Sequence, residues 1–184
     1  TPVRLGHISS GGDELVDIYG ISPMYTHLLV KHDLQITGKI DAELRDYEEQ
    51  VGQDSEYVLT EATVTRFIGQ LRHNVGSSLS VFHDTSETAG HTGVSWLLGG
   101  SYVLPIKLTL YGNVRYSHID YAHREALAPE KRSDSQYQLT GGITGMVGSR
   151  WGYSAAYQYS ENESTFDLYD YDRSMMTVGT FVSF

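Results

Sequence analysis

Apolar and polar residues alternate along most of this chain with a period of two, the repeat of a β-strand whose two faces meet different surroundings. The pattern is clearest from Leu34 to Tyr47, where Leu34, Ile36, Gly38, Ile40, Ala42 and Leu44 interleave with Gln35, Thr37, Lys39, Asp41, Glu43 and Arg45. It returns with Val75, Ser77, Leu79 and Val81 on one face, and again with Val94, Trp96, Leu98, Gly100 and Tyr102. After a tight turn at Leu104–Pro105 it resumes in Ile106, Leu108, Leu110, Gly112, Val114 and Tyr116, opposite Lys107, Thr109, Tyr111, Asn113, Arg115 and Ser117. Tyr137 to Val147 and Trp151 to Tyr159 form another pair, and Met176, Val178, Thr180, Val182 and Phe184 share a face of the last strand. Tyr57 to Leu71 is β-branched, with Glu61 and Arg66 on opposite faces, and Ala62, Val64 and Ile68 are expected outward. Pro2 to Ser9 is a short first strand. Val16 to Leu29 is a second, in which Pro23 removes a ladder donor and marks a bulge or an edge.

Ten strands result, or eight if the first two stay out of the wall. Their connections alternate between short, at 30–33, 72–74, 104–105 and 148–150, and long, at 48–56, 85–92, 122–134 and 161–167. Short turns at one end and long loops at the other are the habit of a transmembrane β-barrel. About ten residues per strand at 3.3 Å rise and 45° tilt span roughly 25 Å, the height of its apolar band. Aromatic girdles are expected from Trp151, Tyr153, Tyr102 and Phe184 at the short-turn end. At the loop end Tyr47, Tyr57, Tyr116, Tyr121, Tyr137, Tyr159, Tyr169 and Tyr171 are the corresponding set.

The last strand stops on Phe184 after Val178 and Val182. This ending resembles the C-terminal signature of bacterial outer-membrane β-barrel proteins, in which a terminal Phe after alternating hydrophobics is read by the assembly machinery. The resemblance implies an all-β fold: one antiparallel transmembrane barrel over residues 1–184, with periplasmic turns and longer extracellular loops. Its implied partners are outer-membrane lipid, lipopolysaccharide and the assembly machinery, with Val178, Val182 and Phe184 as the assembly signal. A protein partner through the extracellular loops is a further expectation.

Composition fits that class. Cysteine is absent, which removes disulfides, thiol nucleophiles and cysteine zinc sites. No run of about 18 apolar residues exists to form a spanning helix. No signal peptide opens the chain at Thr1, so an exported chain is expected to be numbered from its mature or trimmed form. Mean hydropathy is negative, as in a barrel that shows only alternate residues to lipid. The formal charge of -10 disfavours nucleic-acid binding, and no cofactor is expected.

Chemistry concentrates in two places. Lys39, Asp41, Glu43 and Arg45, with Lys107, Asn113 and Arg115, point inward on this alternation. They line a narrow polar channel, or they pair across the lumen and plug it, since a barrel of this size is little wider than its side chains. At the loop rim stand His118-Ile-Asp120 and Asp170-Tyr-Asp172, with His123 and Asp167 nearby. Their spacing is similar to the facing Asp-His and Asp pairs of omptin-type outer-membrane proteases, which activate water. Ser117-His118 resembles the Ser and His of lipid A deacylases, without their surrounding motif. The Tyr169-Asp-Tyr-Asp-Arg173 run resembles the ends of larger exopolysaccharide-associated porins, which implies a piece of a larger wall. No divalent-cation motif appears. The leading expectation is a non-enzymatic channel or membrane scaffold with acidic outer loops.

Overall fold

The computed structural model describes residues 2–10, 13–47, 54–69, 72–86, 89–124, 130–148 and 150–182. It contains β1 (Val3–Ser10), β2 (Asp13–Ile21), β3 (Met24–Leu29), β4 (Leu34–Asp46), β5 (Ser55–Ile68), β6 (His73–Asp84), β7 (His91–Val103), β8 (Leu108–Tyr121), β9 (Ser133–Val147), β10 (Trp151–Ser164) and β11 (Tyr171–Val182). All belong to one antiparallel sheet ordered β1-β2-β4-β5-β6-β7-β8-β9-β10-β11, with β3 also on β4.

β2 and β3 occupy a single place in this wall. Asp17–Ile21 pairs with Asp46–Ala42, and Met24–Leu29 pairs with Lys39–Leu34 lower on the same edge of β4. The break falls at Ser22–Pro23, where proline has no N–H to give; its carbonyl instead accepts from Ile40 N at 3.1 Å. The wall therefore has ten strand positions, and the first two pair within it. Among the described residues, β1 and β11 pair with no second neighbour, so the sheet has two open edges.

Alternation dictates the faces. Ile36, Ile40 and Leu44 of β4, Leu79 and Val81 of β6, and Val94, Trp96 and Leu98 of β7 are all exposed. So are Ile68, Val64 and Val58 of β5, on the face expected for them. Val16 is the one buried apolar side chain among the described residues. Without an apolar core, a sheet of this size gains its hydrophobic stabilisation only by passing that exposed face into lipid, about 1.5–3 kcal/mol for each large side chain. Two polar groups among these apolar side chains are satisfied locally: Trp96 Nε1 donates to Ser77 Oγ at 2.8 Å, and Tyr157 Oη lies 2.9 Å from Ser174 Oγ.

The connections alternate as expected, with shifted ends. Among the described residues, each short turn holds one left-handed residue: Asp33, Gly69, Lys107 and Gly148, with φ of 49°, 63°, 59° and 68°. Lys107 is thereby removed from the wall. It sits exposed in the 104–107 turn with Ile106, and β8 starts only at Leu108. The apolar Ile106 imitates a strand residue, but Leu104 N bonds to Leu108 O and Lys107 N to Leu104 O, closing the turn after it. The turn expected at 72–74 also moves, because His73 and Asn74 already pair in β6.

Trp151, Tyr153 and Tyr102 lie on the outer face at the short-turn end, where Tyr102 stacks on His73 at 4.0 Å. Tyr116, Tyr137 and Tyr159 share that face at the loop end. Tyr57, Tyr121 and Tyr171 do not: their register partners Glu43, His91 and Asn162 lie on the inner face, so these rings point inward. Tyr169 lies in the loop before β11. Val178 and Val182 are on the outer face of β11, whereas Phe184 lies outside the described residues.

Leu79→Lys, on the outer face midway along β6, is expected to cost about 2–4 kcal/mol in lipid vesicles, and Ser78→Lys beside it far less. Urea unfolding in vesicles measures both. Equal costs would remove the assignment of faces.

Candidate functional site

Register turns the inner face into rows that cross the sheet. One row runs Lys39, Glu61, Ser80, Ser95, Ser117, Gln136, Asn162. The row nearer the short turns runs Thr37, Thr63, Ser78, Leu97, Arg115, Gln138, Ser160, Arg173. Asn113 is one step lower, opposite Thr140. Hydroxyls and amides dominate, because a side chain facing water needs no apolar surface.

The charges of β4 form a network along the wall. Lys39 Nζ lies 3.1 Å from Asp41 Oδ2, and Ser22 Oγ donates to Asp41 Oδ1 at 2.8 Å. Arg45 reaches Glu43 at 3.0 Å and Asp84 at 3.3 Å, and its guanidinium stands 5.1 Å from the centre of the Tyr57 ring. These contacts lie within β4 or reach only Ser22, just past β2, Tyr57 of β5 and Asp84 of β6. The pairs shown for these residues run along the wall, whereas the expected plug needs pairs across the lumen. The carboxylates are held without filling the interior.

A second cluster closes the loop rim. Asp134, with a side chain 0% exposed, takes Arg132 as a fork: Nε at 2.9 and 3.1 Å and Nη2 at 2.6 Å. The same guanidinium lies 4.4 Å from the Tyr121 ring centre and 3.4 Å from that of Tyr169. Thr165 N donates to Ser133 O at 2.9 Å, tying the β10–β11 connection to β9, and Tyr121 N to Arg132 O at 3.0 Å closes the β8–β9 connection. Asn162 Nδ2 donates to Tyr169 O at 2.8 Å. Asp134 lies three residues beyond Tyr137, past the outer girdle and so above the apolar band. Burial pushes its carboxyl up, but hydrogen bonds from Arg132, Ser164 and Asn162 outweigh that and hold it below the ordinary value.

The rim residues considered for catalysis do not converge. His118 opposes Val94 and therefore faces outward, with Asp120 Oδ1 at 3.6 Å and Ser135 Oγ at 3.3 Å. Asp172 opposes Glu161 on the outer face of β11, and Asp170 accepts from Ser164 N at 2.7 Å. β9 and β10 separate β8 from β11, three inter-strand spacings or about 14 Å. Ser117 and His118, neighbours in a strand, point to opposite faces, and Ser117 Oγ donates instead to Ser95 Oγ at 3.0 Å. Among the described residues no three His, Asp or Glu side chains are placed to hold a metal ion.

Among the described residues, four inner-face charges escape a reading by local composition: Glu61, Asp84, Asp134 and Arg173. For Glu61 and Asp84 the signal is parity, since Ala62 and Val64, or Val81, face out beside them. Arg173 sits in a Tyr-Asp run that reads as loop, yet β11 begins at Tyr171.

No protein-family model matches the chain, and no curated protein matches it in sequence. Solved structures resemble it, among them two of one outer membrane protein. One is OmpT, an outer membrane protein of Vibrio cholerae, folded in vitro, with a TM-score of 0.65 at 14% identity over 98% of this chain and 60% of that one. The other is its loop L8 deletion mutant, with a TM-score of 0.63 at 12% identity over 98% and 58%. The fold is that of outer-membrane β-barrel proteins, and an outer-membrane location is the one this fold supports. The chain spans about three fifths of the length of these proteins.

Arg132→Met leaves Asp134 buried and unpaired, and is expected to cost about 3 kcal/mol, read as a lowered unfolding midpoint in detergent. A depressed folded-state pKa means that the clasp's contribution is full above the ordinary carboxylate pKa of about 3.9 and disappears as pH falls through the lower folded value. The slowly exchanging Arg132 Nε–H resonance should therefore persist at pH 5 and vanish only in stronger acid. Loss between pH 6 and 5 would contradict this.

Proposed function

We propose that the protein forms most of the wall of a water-filled outer-membrane pore, larger than its own ten strand positions. The observation that carries this reading is the pair of open edges. An unpaired strand edge in hydrocarbon costs several kcal/mol for each unsatisfied group, so β1 and β3 on one side and β11 on the other need neighbours. At the same strand spacing, ten positions matched to 60% of a larger barrel protein correspond to a complete wall of about sixteen, an even number. Walls of that size leave an aqueous lumen, whereas about eight strands are filled by their own side chains.

The inner face supports the same reading. The ion pairs of β4 run along the wall and the rim loops are clasped at their base, so neither needs to occupy the interior. The outer face meets lipid, the acidic loop end meets lipopolysaccharide and any protein partner, and Val178 and Val182 belong to the strand that the assembly machinery would engage.

In a planar bilayer the purified protein is expected to give discrete, ohmic steps that grow in proportion to salt. In native membranes, cysteines at Leu5 or Tyr25 on one edge and at Met176 or Val178 on the other, introduced into this cysteine-free chain, should resist joining by a short bismaleimide. Efficient joining together with absent conductance would mean closure at ten strands and would reject the pore.

A further inference from the structure

We propose that the inner face of β8–β11 binds small hydroxylated carboxylates through Arg115 and Arg173; this rests on the pore reading. Arg115 opposes Gln138, Gln138 opposes Ser160 and Ser160 opposes Arg173, so the four form one row across four strands. Three inter-strand spacings set the two arginine Cα atoms about 14 Å apart, with an amide and a hydroxyl between them. Gln158, one step toward the short turns, donates to Ser160 Oγ at 3.3 Å and adds a second amide.

The chemistry of the row follows from what is absent beside it. Arg115 is exposed and makes no ion pair or hydrogen bond among the described residues, and Arg173 reaches only Met175 Sδ, at 3.7 Å. The inner face of β8–β11 carries one carboxylate among those residues, Asp134, and Arg132 covers it. On the inner face of β4–β6, by contrast, Lys39 and Arg45 already have their anions. A guanidinium presents a planar fork that matches a carboxylate through two parallel hydrogen bonds. The intervening amides and hydroxyl both donate and accept, which suits the hydroxyls of the same solute and leaves its charge to the arginines. One half of the wall is thus electrically satisfied and the other is open to anions.

The test compares gluconate with glucitol, its neutral polyol counterpart, on the full chain folded in detergent and checked by heat-modifiable migration. Ligand-observed NMR should show gluconate binding and no glucitol binding. Arg115→Gln with Arg173→Gln is expected to weaken gluconate about fivefold or more, the scale of one charge contact in water. Arg115→Lys, which keeps the charge and loses the fork, should fall between. In bilayers the double variant should lower the anion-to-cation permeability ratio in a salt gradient. Binding unchanged in the double variant, or glucitol bound as well as gluconate, would overturn the site. Arginine-dependent gluconate binding without conductance would uphold the site while removing the pore, so the two readings fail separately.

Discussion

Hydrocarbon offers no hydrogen-bonding partner, and every feature of this wall answers to that constraint. Each backbone group must be paired within the sheet, which is why β4 to β10 carry neighbours on both sides over nearly their whole length. Pro23, unable to donate, is confined to the gap between β2 and β3, where the wall position is shared between two short strands. The same constraint makes the two open edges the most consequential feature of the molecule. They are paired backbone on one side and unmet demand on the other.

The faces divide the remaining chemistry. Outward, apolar side chains meet lipid, and the occasional indole or hydroxyl is satisfied by a neighbour in the sheet, as Trp96 is by Ser77. Inward, charge is affordable only because water or a partner is near. On β4–β6 the partner is another side chain along the wall, as with Arg45 between Glu43 and Asp84. On β8–β11 the arginines lack one, and solvent or solute takes that place. At the rim, Arg132 ties two connections to the sheet through one buried carboxylate and two aromatic rings.

Much of this was legible from the alternation alone. The ten wall positions, the proline break and the placing of Lys39, Asp41, Glu43, Arg45, Asn113 and Arg115 on the face opposite the apolar set all follow from a period of two. Lys107 was misplaced because Ile106 extends the apolar rhythm into a turn that only backbone bonding closes. Tyr57, Tyr121 and Tyr171 lie near the loop end and resemble girdle residues by position, but the parity of their strands sends them inward. Whether charges pair along a wall or across a lumen depends on the barrel's width, and no spacing within one strand encodes that. The Arg132–Asp134 clasp joins two connections distant in sequence, so nothing local distinguishes its charges from those of an ordinary solvated loop.

The most direct measurement places single cysteines at successive positions from Gln35 to Leu44, labels each with a fluorophore in lipid vesicles, and compares quenching by brominated lipid with quenching by aqueous iodide. Lipid quenching should peak at Ile36, Gly38, Ile40, Ala42 and Leu44, and iodide quenching at the positions between them. Quenching with no period of two, or with the two quenchers exchanged, would contradict a wall whose apolar face meets lipid and whose polar face meets water.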